Sequence, residues 1–190
     1  MSIVLLMSKI VESKAMAIKF DCLKKEGVEA EDPNFSRVDQ IAKKLRSHLD
    51  SVAVQQEIKR VHQVNAHSGA IQNIILKEMT ALGFENEKKK LFANAKVKSL
   101  RPDYYCRVGS TGILLEVERG KTIMNNMDLL DLWKCHICDH ADYLFLLVPE
   151  FRPNKKGKKM KTFEPVKNRL GMFFEPSKYV NVNAVYIFGY

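Results

Sequence analysis

Arg101-Pro102-Asp103-Tyr104-Tyr105-Cys106-Arg107-Val108-Gly109-Ser110-Thr111-Gly112-Ile113-Leu114-Leu115-Glu116-Val117-Glu118-Arg119-Gly120-Lys121 is the stretch on which the fold turns. Tyr104 to Val108 and Ile113 to Glu118 are strand-like, and the glycine-containing turn between them makes the pair an expected antiparallel hairpin. Side chains alternate along a strand, so Glu116 and Glu118 share one face of a run that begins as a fully buried strand. Acids that close repel one another and raise each other's pKa unless a cation sits between them. Asp103, at the start of the neighbouring strand, would lie beside Glu116. Three hard oxygen donors so placed point to a divalent metal ion, with the Val117 carbonyl as a further possible ligand.

Working outward, His67-Ser68-Gly69 offers a helix start, with Ser68 the better N-cap, and Gly83 supplies a left-handed stop. The apolar stripe of that helix is Ile71, Ile74, Ile75, Met79 and Leu82, and at ~100° per residue Glu78 falls near its centre. An inward carboxylate needs a partner. Further upstream, Val38, Ile41, Ala42, Leu45, Leu49, Val52 and Val61 recur at helical spacing, with Lys43, Lys44, Arg46, Lys59 and Arg60 elsewhere on the surface. Glu31-Asp32-Pro33-Asn34 marks a turn before it.

A strand is expected near Lys96 to Leu100. Downstream of Gly120 the period becomes helical through Ile123, Met127, Leu130, Trp133 or Lys134, Ile137 and Ala141. The unbroken apolar run from Asp142 to Pro149 reads as a central strand covered on both faces. A helix-like stretch near Val166 to Met172 and a strand near Asn183 to Phe188 follow. The order of helix, hairpin strands, helix and buried strand predicts an α/β fold with a mixed central sheet flanked by helices, the last of these strands parallel to the acidic one. Residues 1–65 are expected as an N-terminal helical extension packed on a core of residues 66–190, in a single domain overall.

The chain has 190 residues, 46% of them hydrophobic, and a net charge of +9, which favours a polyanionic partner, nucleic acid first. The charge clusters. Arg152, Lys155, Lys156, Lys158, Lys159 and Lys161 crowd a segment broken by Pro153 and Gly157, a basic loop suited to nucleic-acid contact. Four cysteines without a signal peptide suggest reduced thiols and a cytoplasmic protein, and no run approaches the ~20 apolar residues that span a bilayer. Cys135 and Cys138 share one helix face while His136 and His140 share another. That arrangement disfavours structural zinc, and cysteines packing the helix on the sheet are expected instead.

Glu78 on a helix, Pro102-Asp103, then Glu116-x-Glu118, in this order of elements, resembles the PD-(D/E)XK nuclease superfamily over residues 66 to 150. The resemblance implies an αβββαβ restriction-endonuclease-like core and a Mg²⁺-dependent endonuclease in which Mn²⁺ can substitute. By the same resemblance Asp103, Glu116 and Glu78 are metal ligands. The superfamily's usual lysine is replaced here by Glu118, as in some type II restriction enzymes with an E-x-E variant. Either Glu118 takes the lysine's role in positioning water or Lys121 returns an ammonium to the site. Asn125, Asn126, Asp128, Asp131 and Lys134 are polar groups on the helix that begins at the active edge, and the resemblance makes Lys134 a candidate for facing the scissile phosphate.

The leading expectation is thus a type II site-specific restriction endonuclease acting on double-stranded DNA as a homodimer, with the basic segments supplying phosphate contacts. Three alternatives stand beside it. One is a structure-selective repair or recombination nuclease, and another a catalytically silent DNA-binding module of the same fold. The third is an α/β protein whose acids pair with Arg101, Arg107 or Arg119.

Overall fold

The computed structural model describes residues 17–64, 67–86, 92, 100–120, 122–153 and 158–190. Lys121, Lys155, Lys156 and residues 96–99 of the expected strand lie outside these. The expected hairpin is formed by β3 (Tyr104–Val108) and β4 (Thr111–Val117), which pair antiparallel with Tyr104 opposite Leu115. Gly109 takes φ +59° in the tight connection, a conformation that costs a residue with a Cβ. Before the hairpin come α4 (Ser68–Ala81), ended by Gly83 at φ +90°, and the short β2 (Glu85–Asn86). His67 rather than Ser68 takes the N-cap position of α4.

After the hairpin, α5 (Met127–His136) crosses over to β5 (Tyr143–Val148), which lies parallel to β4 as expected. α6 (Phe163–Gly171) leads to β8 (Ala184–Gly189), parallel to β5. Between β5 and α6 the basic segment forms an antiparallel ribbon of β6 (Phe151–Pro153) and β7 (Lys159–Lys161). Pro153 and Gly157 predict a loop there; instead two short strands pair with each other and stay outside the main sheet.

Ahead of α4 lie α1 (Val28–Glu31), α2 (Phe35–Leu49) and α3 (Val52–Val61), preceded by β1 (Lys19–Lys24). β1 pairs antiparallel with β8 and completes a six-stranded mixed sheet of order β1-β8-β5-β4-β3-β2. The N-terminal part therefore contributes an edge strand as well as helices. Its alternation is muted because Phe20 and Cys22 are only partly buried against the core. The basic face of these helices is answered by acids in part, with Lys43 on Asp39 at 2.6 Å, Arg46 on Asp50 at 3.6 Å and Arg60 on Glu57 at 2.8 Å.

Strand alternation sorts the core into two layers. Ile113, Leu115 and Val117 join Phe145 and Phe188 against Leu45, Ile71, Ile75 and Met79 of α2 and α4. Leu114, Leu144, Leu146 and Ile187 face the other way, against Leu132, Cys135, Val166 and Leu170 of α5 and α6. Central strands are buried on both faces, so β5 and β8 read as continuous apolar runs. Among the described residues no helix is long and apolar enough to cross a membrane.

Candidate active site

Because Leu114 faces α5, period two places Glu116 and Glu118 on that same face. Asp103 lies just before β3 and opposite Glu116. Its backbone N–H points at Glu116 Oε2 at 3.4 Å, and its own Oδ2 accepts the Val117 N–H at 2.7 Å. The strand start is thereby tied to the acidic end of β4.

α5 completes the cluster in a way its apolar pattern conceals. The expected stripe through Leu130, Trp133 and Ile137 is half exposed, at 50%, 49% and 45%. The buried face instead carries Asp128, Asp131, Leu132 and Cys135. Asp131 lies one turn before Lys134, and the Lys134 ammonium donates to Asp131 Oδ1 and to Glu116 Oε1, both at 2.9 Å. Asp131 Oδ2 is buried and accepts no hydrogen bond from the described residues. Among the described residues, the four carboxyl groups Asp103, Glu116, Glu118 and Asp131 thus share the surroundings of the Lys134 ammonium.

The electrostatics follow from that imbalance. Burial and the charge of Asp131 hold the Glu116 carboxyl well above the usual carboxylate range, against the pull of Lys134. Glu118 is pushed up to about 7 by burial and by Asp131, with the Thr122 hydroxyl and Lys134 drawing it back. Burial raises Asp131 to about 6, again opposed by Lys134. Burial works against the Lys134 ammonium, but Glu116 and Asp131 more than offset it and its pKa rises.

A second buried pair fixes the start of α5. Asp128 is fully buried and receives the Arg169 guanidinium from α6 on both carboxylate oxygens, one of them through Nε at 3.1 Å. Arg169 Nη1 also donates to Asn126 Oδ1 at 3.0 Å. Asn126 is left-handed at φ +54°, a conformation asparagine tolerates better than most residues. This clamp sets the angle at which α5 presents Asp131 and Lys134 to β4.

Glu78 is not brought to the cluster. α4 packs on the opposite face of the sheet from Glu116 and Glu118, and the Glu78 carboxylate lies 3.6 Å from His48 Nδ1 on α2. Its place on the stripe does demand a partner, and the structure sets it against a histidine of a neighbouring helix rather than beside the acids of β4. Tyr104 reaches the same layer, donating to the Gln72 carbonyl at 3.0 Å. Glu78 lies a further six residues along α4, about 9 Å at the helical rise.

Among the other expected contacts, Lys134 sits within the acids rather than on an open nucleic-acid surface. Arg152 lies 2.7 Å from Met124 Sδ, and Lys159 stands over the Phe151 ring at 5.9 Å. Arg119 donates to the Val61 and Gln63 carbonyls. Cys135 donates to the Ala141 carbonyl at 3.6 Å, and His136 Nδ1 accepts the Asn181 N–H at 2.8 Å.

Among the described residues no three His, Cys, Asp or Glu side chains are arranged to close directly on one ion. The Lys134 ammonium stands between Glu116 and Asp131. Sequence reasoning passes over Asp131 as a site residue, and the available signal is its spacing: Asp128, Asp131 and Cys135 recur at i, i+3 and i+7, a second stripe competing with the apolar one. No family model and no curated protein sequence matches this chain. Function must therefore be reasoned from the site.

Proposed function

We propose that this protein is a Mg²⁺-dependent DNA endonuclease of the restriction-endonuclease-like type, with a type II site-specific enzyme as its most specific form. The observation that carries this is the meeting of Asp103, Glu116, Glu118 and Asp131 around Lys134 at the carboxyl end of β4. Ligands in open α/β sheets bind outside the carboxyl ends of the strands. The element order, the mixed sheet and the crossover from β4 through α5 to β5 agree with the αβββαβ arrangement that the motif resembles.

The donor chemistry suits a hard divalent ion, which these carboxylates would reach by rearranging around the Lys134 ammonium between Glu116 and Asp131. Every anionic donor is a carboxylate oxygen, the acids outnumber the ammonium, and the orphaned Asp131 Oδ2 is a buried acceptor awaiting a partner. Asp103 and Glu116 would hold the ion, with Asp131 as a further oxygen donor. A bound divalent ion activates water and neutralises charge developing at phosphorus.

The chain's own side chains do the rest. Lys134 has three N–H donors and uses two on Glu116 and Asp131, which leaves one for a phosphate oxygen or the attacking water. It thereby supplies the ammonium that the resemblance leads one to seek at position 121. Glu118, on the same face two residues beyond Glu116, orients the water and accepts its proton. The Arg169–Asp128 clamp holds α5 so that both contacts persist.

The decisive experiment incubates the protein with mixed plasmid DNA and Mg²⁺ or Mn²⁺, beside Asp103→Asn and Glu116→Gln. Discrete fragments from the wild type alone support a site-specific enzyme. A smear, or cutting confined to branched DNA, moves the assignment to a structure-selective nuclease. Binding without cleavage under every metal condition would leave a silent DNA-binding module.

A further inference from the structure

A cavity of about 430 Å³ opens on the α3 side of the sheet, across it from the acids, lined by residues on α3, by Ala17 and Ile18 before β1, and by the segments that follow β5 and β8. Its size falls within the ~300–1,000 Å³ of small-molecule sites. β4, β5 and β8 are adjacent and parallel. Glu150 and Phe151 follow β5 and Tyr190 follows β8, so the cavity lies at the same edge of the sheet as the acids. The Tyr190 hydroxyl donates to the Glu118 carbonyl at 2.8 Å, so cavity wall and acidic strand are physically joined.

Besides the apolar Ala17, Ile18 and Ile58 and the Glu150 carboxylate, which lies 3.6 Å from Lys19, the lining has three chemical parts. Tyr190 and His62 meet edge to face with centroids 5.5 Å apart, and Phe151 adds a third ring. Rings arranged so can stack on a flat heteroaromatic ligand. Gln55 and Gln63 add polar amides to the wall, that of Gln63 donating to the Lys59 and Arg60 carbonyls. Lys59 on α3 and Lys159 on β7 bring two exposed cations.

We propose that this cavity binds a nucleotide: the base stacks among the rings and its phosphate pairs with Lys59 and Lys159. Nothing in the catalytic assignment uses these residues. The choice of a nucleotide rests on the nuclease function proposed above, and two sources share that chemistry. One is a nucleotide turned out of the DNA strand beside the cleaved bond; the other is a free mononucleotide.

The test uses 2-aminopurine, whose fluorescence falls on stacking against a ring and rises on leaving a base stack, with EDTA present so that no cleavage occurs. The free probe is 2-aminopurine deoxynucleoside 5′-monophosphate; the second probe carries 2-aminopurine within a cleavable duplex. Saturable quenching of the free probe, displaced by dAMP, assigns a free-nucleotide site. A saturable change confined to the duplex assigns the DNA strand as the source. In either case the Lys59→Ala, Lys159→Ala double variant should raise the midpoint of the probe that responds about tenfold, because two cations no longer face the phosphate. Both substitutions are at exposed positions, which keeps folding intact. Ile58→Trp, which fills the cavity, should abolish the signal provided its circular dichroism matches wild type.

No response from either probe, or one indifferent to all of these cavity substitutions, overturns the proposal. Failure of cleavage with nucleotide binding intact would instead remove the nuclease assignment and leave the site standing.

Discussion

Lys134→Met in the metal-free protein is the perturbation that tests the site most directly. The side chains of Glu116 and Asp131 are 6% and 0% exposed, and each holds Lys134 at 2.9 Å. Removing one partner of a buried ion pair costs about 3–5 kcal/mol, because the remaining charge is left uncompensated. Against a typical stability of ~5–15 kcal/mol this is a large fraction. At roughly 2–4 °C per kcal/mol for a chain of this size, the melting temperature should fall by roughly 6–20 °C.

The loss has a definite pH dependence. Lys134 has a raised pKa, so its stabilisation is fully present below the ordinary lysine value and is lost only at strongly alkaline pH. The acids are also raised above their unfolded values. Their folded-state advantage is therefore complete below about pH 4 and fades as pH climbs through their folded pKa, about 6 for Asp131. At pH 5 Asp131, at about 6, largely holds its own proton and needs the ammonium little; at pH 8 it needs it most.

Urea denaturation in EDTA at both pH values should show the full deficit at pH 8 and a much smaller one at pH 5. Mg²⁺ at a hundredfold excess over its dissociation constant should return about 2.7 kcal/mol at pH 8. A deficit below ~1 kcal/mol at pH 8, or an equal one at both pH values, would refute the placement of Lys134 between buried carboxylates.

Three further outcomes are expected. Arg169→Ala leaves Asp128 buried and unpaired and should cost about 3–5 kcal/mol in denaturant titration; Arg169→Lys, lacking the two-pronged fit, should recover only part of it. Glu78→Gln should leave DNA cleavage within about twofold of wild type, as for a change away from the site, and a loss of tenfold or more would return that residue to the chemistry. Replacing Arg152, Lys158 and Lys159 with alanine should weaken DNA binding across sequences and flatten the plot of log Kd against log salt by ~0.9 for each phosphate left unneutralised; an unchanged slope would remove the β6–β7 ribbon from the interface.

The hairpin, the crossover and the two glutamates on one face are legible because they depend on short-range facts: alternation, a turn glycine, a change of period. The ribbon at Phe151 to Lys161 is not, since its strands are three residues each and carry no apolar alternation. β1 is hidden for a related reason. An edge strand only partly buried shows little contrast between its faces.

α5 is the most instructive case. Leu130, Trp133 and Ile137 form the better apolar stripe, yet Asp128 and Asp131 are the residues packed inside. Hydrophobic patterning assumes that acids stay out of the interior; here Arg169 and Lys134 each compensate one, Lys134 as an i,i+3 neighbour on α5 itself and Arg169 from α6, a pairing that α5 alone does not show.

The sequence by itself determined that Asp103 and Glu116 would meet, because antiparallel register brings the start of one hairpin strand beside the end of the other. It likewise determined that Glu118 shares the face of Glu116. Which helix joins them was decided only by the tertiary structure. α4 and α5 cover opposite faces of the sheet, and the face on which a helix lands depends on long-range packing rather than on its own period. That packing sent Glu78 to His48 and set Asp131 and Lys134 against Glu116.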